Sequence, residues 1–437
     1  MIVSRPKNRW PLVPLSTLAE FRNGVNFSKA NFGSGIKVIG VGDFQNNVRA
    51  SFDNLEQINP EGVVRKEHLL KNGDILFVRS NGNRELIGRS MFVDGLREDV
   101  THSAFSIRLR FISDTCLPRF YAYLFRSRLI RQALSLHGGG TNISNLNQDI
   151  LGRLEVPLPP KPVQYKISSI LAAYDDLIEN NTRRIKILEG MAKMIYREWF
   201  VNFRFPGHER VEMVESEAGL IPEGWSVEPL EGNLSVLETG NRPKGGIASF
   251  SEGVPSIGAE SISGVGRFDY AKTRYVPVEY FDKMNQGVLQ DRDVLVYKDG
   301  GQPGNFHPHV SLVGDGFPFS QMVINSHVYR LRTTARTTQD YLYYHLSSDE
   351  TLKWMHLHGT GSAIPGLARK DLLQLPIILP PKTLVQRFDN FAKPLTSLIL
   401  ITARQNQNLR ITREYLLPKL ISGEISVGVA EAVAQSV

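Results

Sequence analysis

Two pairs of loops carry the side chains of this chain best suited to polar contacts with a ligand. In the first pair, Arg79, Ser80, Asn81, Asn83 and Arg84 follow the β-branched run ending at Val78, while Lys298, Gln302, Asn305 and His307 follow the run ending at Tyr297. In the second pair, Thr141, Asn142, Ser144 and Asn145 come after His137-Gly138-Gly139-Gly140, and Thr360, Ser362, Arg369 and Lys370 lie on or after His358-Gly359-Thr360-Gly361. Arginine can bridge the two acceptors of a guanine edge, asparagine and glutamine can pair with adenine, and hydroxyls and lysines can hold phosphates. Singly, each of these residues is an ordinary solvated side chain. Their recurrence in two copies marks a binding surface suited to nucleic acid.

Catalytic chemistry finds no comparable support. Gly240-Asn241-Arg242-Pro243-Lys244-Gly245-Gly246 lacks the spacing of a phosphate-cradling loop, and no dinucleotide-binding glycine pattern follows a strand. The Pro-Pro pairs are followed by Lys161 and Lys382, so the Asn/Asp-Pro-Pro-aromatic signature of amino-methyltransferases is missing. His307-Pro308-His309 and His356-Leu357-His358 have no Asp or Glu nearby in sequence to complete a metal site, and no nucleophile elbow occurs. Cys116, the single cysteine, can form no internal disulfide and reads as a small buried hydrophobe. The expectation is a non-enzyme with no cofactor and no metal. A net charge of +7 is compatible with nucleic acid but weakly so. No apolar run is long enough for a membrane span and the N-terminus lacks a signal peptide's apolar core, so a cytoplasmic location without membrane contact is expected.

The elements that must position the loops are duplicated as well. His358 stands 221 residues after His137, and Leu379-Pro380-Pro381-Lys382 stands 221 after Leu158-Pro159-Pro160-Lys161. A repeat this long is a duplicated domain. The reading is α+β: a first α/β domain over 1–157, a long helix over 158–203, a linker over 204–224, a second α/β domain over 225–378, a second long helix over 379–425 and a tail over 426–437. Counted in heptads, the first helix places Ile167, Tyr174, Asn181, Leu188 and Ile195 at position a, with Ile170, Leu177, Arg184, Met191 and Glu198 at d. The second places Phe388, Leu395, Thr402, Leu409 and Leu416 at a, with Phe391, Leu398, Gln405, Thr412 and Lys419 at d. Both seams are polar in the middle. Two such helices in one chain most simply pair as an antiparallel coiled coil about a pseudo-two-fold axis. Pro394 lacks a backbone donor, so the second helix is expected to start there or kink.

These residues resemble a known family. Pro157-Leu158-Pro159-Pro160-Lys161-Pro162-Val163-Gln164, Asp175-Asp176-Leu177-Ile178-Glu179-Asn180-Asn181, Trp199-Phe200, Gly219-Leu220-Ile221-Pro222-Glu223-Gly224-Trp225 and Leu416-Leu417-Pro418-Lys419-Leu420-Ile421-Ser422-Gly423 are similar to the motifs of type I restriction–modification specificity subunits. Val163 and Val385 depart from it, standing where that family often has an acidic residue. The resemblance implies that each α/β domain is a target recognition domain reading one half of a bipartite site in double-stranded DNA. It further implies that the helices set the spacer and dock two methyltransferase (modification) subunits, with restriction/translocase subunits joining them. The S-adenosylmethionine and ATP sites would belong to those partners. The alternatives are a structural adaptor with duplicated domains, or a stand-alone nuclease.

Overall fold

The structure, a computed structural model, describes residues 10–44, 48–83, 86–137, 145–217, 219–261, 263–300, 305–315, 317–359 and 365–428. The chain divides into two compact units, Met1–Asp176 with Arg410–Val437, and Leu177–Leu409. Each unit thus holds one α/β domain with one end of each long helix.

In the first unit, strands β1 (Leu12–Pro14), β2 (Ala19–Asn23), β3 (Phe32–Ile39), β4 (Glu56–Ile58) and β5 (Ile75–Val78) come first. After them come β6 (Ser90–Phe92), β7 (Val100–His102), β8 (Ser106–Phe111), helices α1 (Pro118–Arg126), α2 (Arg128–His137) and α3 (Gln148–Gly152), and β9 (Glu155–Pro157). The antiparallel sheet runs β2-β8-β5-β6, a second sheet runs β4-β3-β7 with β3 and β7 parallel, and β1 pairs with β9. β5 is apolar and buried at all four positions, the pattern of a strand covered on both faces. Helix α1 starts on Pro118, where a missing amide hydrogen costs nothing, and buries every residue from Phe120 to Phe125. Phe125 meets Phe77 of β5 edge to face at 5.1 Å, and the Tyr121 hydroxyl donates to the Pro157 carbonyl at 3.2 Å. The aromatic run of this helix is therefore core.

The second unit repeats the plan. After the long helix α4 (Lys161–Tyr196) and a ribbon of β10 (Met213–Ser216) with β11 (Gly219–Pro222) come β12 (Ser226–Pro229), β13 (Leu234–Thr239), β14 (Val254–Ile257) and β15 (Arg274–Val276). A short α5 (Val278–Phe281), β16 (Val294–Tyr297), β17 (Val310–Leu312), β18 (Val323–Ile324) and β19 (Val328–Thr333) follow. Then come α6 (Gln339–Leu346), α7 (Asp349–Gly359), α8 (Arg369–Gln374), β20 (Pro376–Leu379) and the long α9 (Lys382–Ser422). The sheets run β13-β19-β16-β17, β15-β14-β18 and β12-β20, the same order strand for strand. The Tyr341 hydroxyl donates to the Ile378 carbonyl at 2.6 Å, as Tyr121 does to Pro157. Gly24 and Gly240 recur for a steric reason: a Cβ there would lie 2.2 Å from the His102 carbonyl oxygen and 1.6 Å from that of Ile324. Only glycine admits such an approach.

The long helices span 36 and 41 residues, about 54 and 62 Å at 1.5 Å per residue. Within the second unit they run antiparallel. Asn406 donates to the Ile178 carbonyl and the Thr182 hydroxyl, both at 3.3 Å, while Phe388 lies against Tyr196 and Trp199 further along. The seam differs from the sequence expectation by one position. The a residues Ile167, Tyr174, Leu188, Phe388, Thr402, Leu409 and Leu416 are buried, but Leu177, Met191 and Phe391 at d are about half exposed. Leu171, Ala192, Ala392, Ile399, Asn406 and Leu420, one residue after d, are buried instead. Apolar side chains stand at both d and the next position, so composition did not choose between them; the partner's approach does. The polar centre is consequently Thr402 and Asn406, with Arg184 and Gln405 facing out. Pro394 neither starts nor interrupts α9, which is continuous from Lys382.

Candidate nucleic-acid interface

The buried strand β5 delivers Arg79, Ser80, Asn81 and Asn83 to one edge of the main sheet in the first unit. The Arg79 amide donates to the Phe105 carbonyl at 2.8 Å, and its carbonyl accepts from Leu146 at 2.8 Å. That second bond brings Asn145, exposed and adjacent to Leu146, onto the same edge. Asn81 accepts from the Asn83 amide at 2.7 Å, an Asx turn that fixes the loop. Arg84, Thr141, Asn142 and Ser144 lie outside the described residues.

The second unit makes the same edge from β16. The Lys298 amide donates to the His327 carbonyl at 2.9 Å, the Leu367 amide to the Lys298 carbonyl at 2.7 Å, and Gly300 to Pro365 at 3.0 Å. Asn305 and His307 are exposed beside them. Gln302, Thr360 and Ser362 lie outside the described residues. Arg369 and Lys370 are both exposed on the first turn of α8, but the Arg369 guanidinium is spent on the Leu237 carbonyl at 2.7 Å, joining the helix to β13. Lys298 is engaged too, with Asp299 at 3.2 Å and near the Tyr329 ring.

At the opposite end of β5 and β16 from each loop edge sits a buried charge cluster that the sequence reading did not single out. In the first unit Asp74 takes two bonds from Arg110, each 2.7 Å, and Glu20 pairs with the buried Arg108 at 3.0 Å. In the second, Asp293 takes Arg330 at 2.5 Å and Arg332 at 2.6 Å, and Arg330 also meets Glu238 at 2.8 Å. The Asp74 and Asp293 carboxylates also accept from the amides of Lys71 and Gln290, both at 2.7 Å. The repeated step from an aspartate straight into a β-branched strand, Asp74-Ile75 and Asp293-Val294, was the available signal.

A cleft of about 510 Å³ opens at the edge of the second unit, lined by Glu260, Tyr297, Asp299, Asn305, His309 and His327 among others. His307 lies at its rim and stacks on His356 at 6.2 Å. Tyr297 stacks on Phe306 and on His309, both at 5.5 Å, which fixes one wall. Burial, then the nearby His307, lowers the His309 pKa and favours its neutral ring. Asp299 is held by His327 and Lys298. Among the described residues no group of three or more His, Cys, Asp or Glu could hold a metal ion, and no helix is long and apolar enough to cross a membrane.

The arrangement defines a class: a duplicated α+β protein in which two equivalent sheet edges carry polar loops and two long helices pair antiparallel. Residues 7–189 match the family described as type I restriction modification DNA specificity domain. The chain is 27% identical over 321 residues, 72% of its length and 70% of the other's, to the type I restriction enzyme MjaIX specificity subunit of Methanocaldococcus jannaschii. It is 22% identical over 451 residues, 89% of its length and 94% of the other's, to the HindI specificity subunit of Haemophilus influenzae. The crystal structure of the type I restriction-modification system S subunit from M. genitalium has the same fold, with a TM-score of 0.57 at 14% identity over 95% of this chain and 97% of that one. Residues 7–189 thus match the type I DNA specificity domain, and the chain over most of its length is similar to specificity subunits of type I restriction enzymes.

Proposed function

We propose that this chain is the DNA-specificity subunit of a type I restriction–modification complex, each α/β domain reading one half of a bipartite target. The observation that carries the reading is the repeated edge: Leu146 on Arg79 and Leu367 on Lys298 tie two polar loops together in the same way in both units. Half-buried Arg79, Ser80 and Asn81 together with exposed Asn83, Asn145, Asn305 and His307 at these strand ends suit direct base and phosphate contacts. Methyl transfer and cleavage fall to partner subunits, and this chain contributes recognition. The long helices set the spacer and receive two methyltransferase subunits, with restriction/translocase subunits assembling on them. Tyr165, Ile187, Met191, Met194 and Phe391, apolar and about half or more exposed on α4 and α9, support the docking part of the proposal.

The test is selection from a randomised duplex library by this chain assembled with its methyltransferase subunits. The expected result is enrichment of two short defined segments separated by a fixed unspecified spacer. Binding that enriches no sequence contradicts the reading and favours an adaptor.

A further inference from the structure

The two edges are alike in backbone and unlike in chemistry. Ser103 donates to Ile39 and Asn325 to Ile257, both at 3.0 Å, so the turns Val41–Phe44 and Ala259–Ser261 occupy the same place in the two repeats. Gly42 therefore stands where the second unit has Glu260. By the matching bonds of Arg79 to Phe105 and of Lys298 to His327, Ser80 stands where the second unit has Asp299, and Phe105 where it has His327. The Asp299 carboxylate and the His327 imidazole belong to the second repeat only, whereas the shorter Asp43 carboxylate lies over Gly40 as that of Glu260 lies over Gly258.

We infer that the cleft of the second unit is a specificity site for a base edge bearing an exocyclic amino group, cytosine N4 or adenine N6, with Glu260 and Asp299 as its acceptors. This deepens, and rests on, the DNA-specificity reading. Two carboxylates repel phosphate, so a backbone contact at this place is disfavoured; carboxylates accept from amino donors in the major groove. Lys298 and His327 hold Asp299 in place, and each Asp299 oxygen keeps a second lone pair for a ligand. Glu260 is exposed, with its carboxylate lying over Gly258. The stacked Tyr297 and His309 give the cleft a planar wall, and Asn305 adds an amide able to pair with a purine. In the first unit Ser80 and the 60% exposed Phe105 replace Asp299 and His327, and the one carboxylate of the matching turn, Asp43, is bound to the Gly40 amide, so this edge presents an apolar ring instead.

The experiment compares adenine-methylation motifs in cells carrying the methyltransferase subunits with the wild-type chain, Glu260→Gln or Asp299→Asn. Glu260 is exposed and Asp299 half-buried, and the half-site read by the first unit serves as the control for folding and assembly. The expected result is that preference at one C·G or A·T position of a single half-site drops about tenfold or more, with the other half and the spacer unchanged. An unchanged motif in both variants overturns the inference, and so does equal loss of both halves. If the wild-type chain yields no bipartite motif, the DNA-specificity reading itself falls and takes the inference with it.

Discussion

The Tyr123 hydroxyl donates to the Asp175 carboxylate at 2.8 Å, and 221 residues further on the Tyr344 hydroxyl meets that of Thr396 at 3.2 Å. The same contact between domain and long helix is thus ionic in one repeat and neutral in the other. In the first unit Arg413 of α9 pairs with Asp175, and Arg126 stands 3.6 Å away. Asp175→Asn leaves two largely buried guanidinium groups facing each other. A loss of about 2–3 kcal/mol is expected, below the value for a fully buried pair because the site is partly solvated. Arg413→Met in that background should recover part of it. Additive effects of the two substitutions in denaturant melts would contradict the coupling.

Among the described residues of the second unit Asp293 is the most enclosed charge, with no exposed side-chain surface and two arginines on it. Asp293→Asn is expected to cost roughly 3–5 kcal/mol. Hydrogen exchange should show the loosening in β16 and β19. A change under about 0.5 kcal/mol, the range of ordinary surface substitutions, would contradict the role of Asp293 in holding β16 to β19.

His345 gives a pH dependence. Its Nδ1 lies 3.0 Å from the Tyr196 hydroxyl and its Nε2 3.0 Å from the Pro376 carbonyl, an arrangement that a neutral ring satisfies on both sides. Burial lowers its pKa to about 4. The unfolded chain therefore binds a proton that the folded chain refuses, and stability falls as pH drops from about 6.5 toward 4, by roughly 3 kcal/mol from this group. Above that window the group contributes no slope. Melting temperatures at pH 7 and pH 5 should differ less in His345→Gln than in the wild type. An identical difference would contradict the assignment.

For the loops, Arg79→Ala is expected to weaken DNA binding across sequences and reduce the salt slope by about one unit, the signature of one lost phosphate contact. Among the described residues its guanidinium makes only a long 3.5 Å contact, to the Ala104 carbonyl, so the fold should be intact. Unchanged affinity and slope, measured by salt titration of the assembled complex, would remove Arg79 from the interface.

What was legible in the sequence follows physical lines. The duplication was readable because motifs such as Leu-Pro-Pro-Lys and the aromatic helices kept their spacing, and they are the parts that pack in the core. The helix pairing was readable from the a positions, but not its face, since Ala192 and Met191, or Ala392 and Phe391, offer adjacent apolar choices. The first-unit loop stood out in the sequence because one strand end carries Arg79, Ser80, Asn81 and Asn83 in succession. The cleft was not: Glu260, Asp299, His309 and His327 come from four separate segments that only the fold brings together. The Asp293 cluster escaped because its arginines alternate with apolar residues inside a strand and look solvent-facing.

The central claim is most directly tested by sequencing methylated adenine in cells holding the methyltransferase subunits, with and without this chain. The account predicts a two-part motif with a fixed spacer that appears only when the chain is present. Methylation unaffected by its removal, or a motif with a single continuous segment, would contradict it.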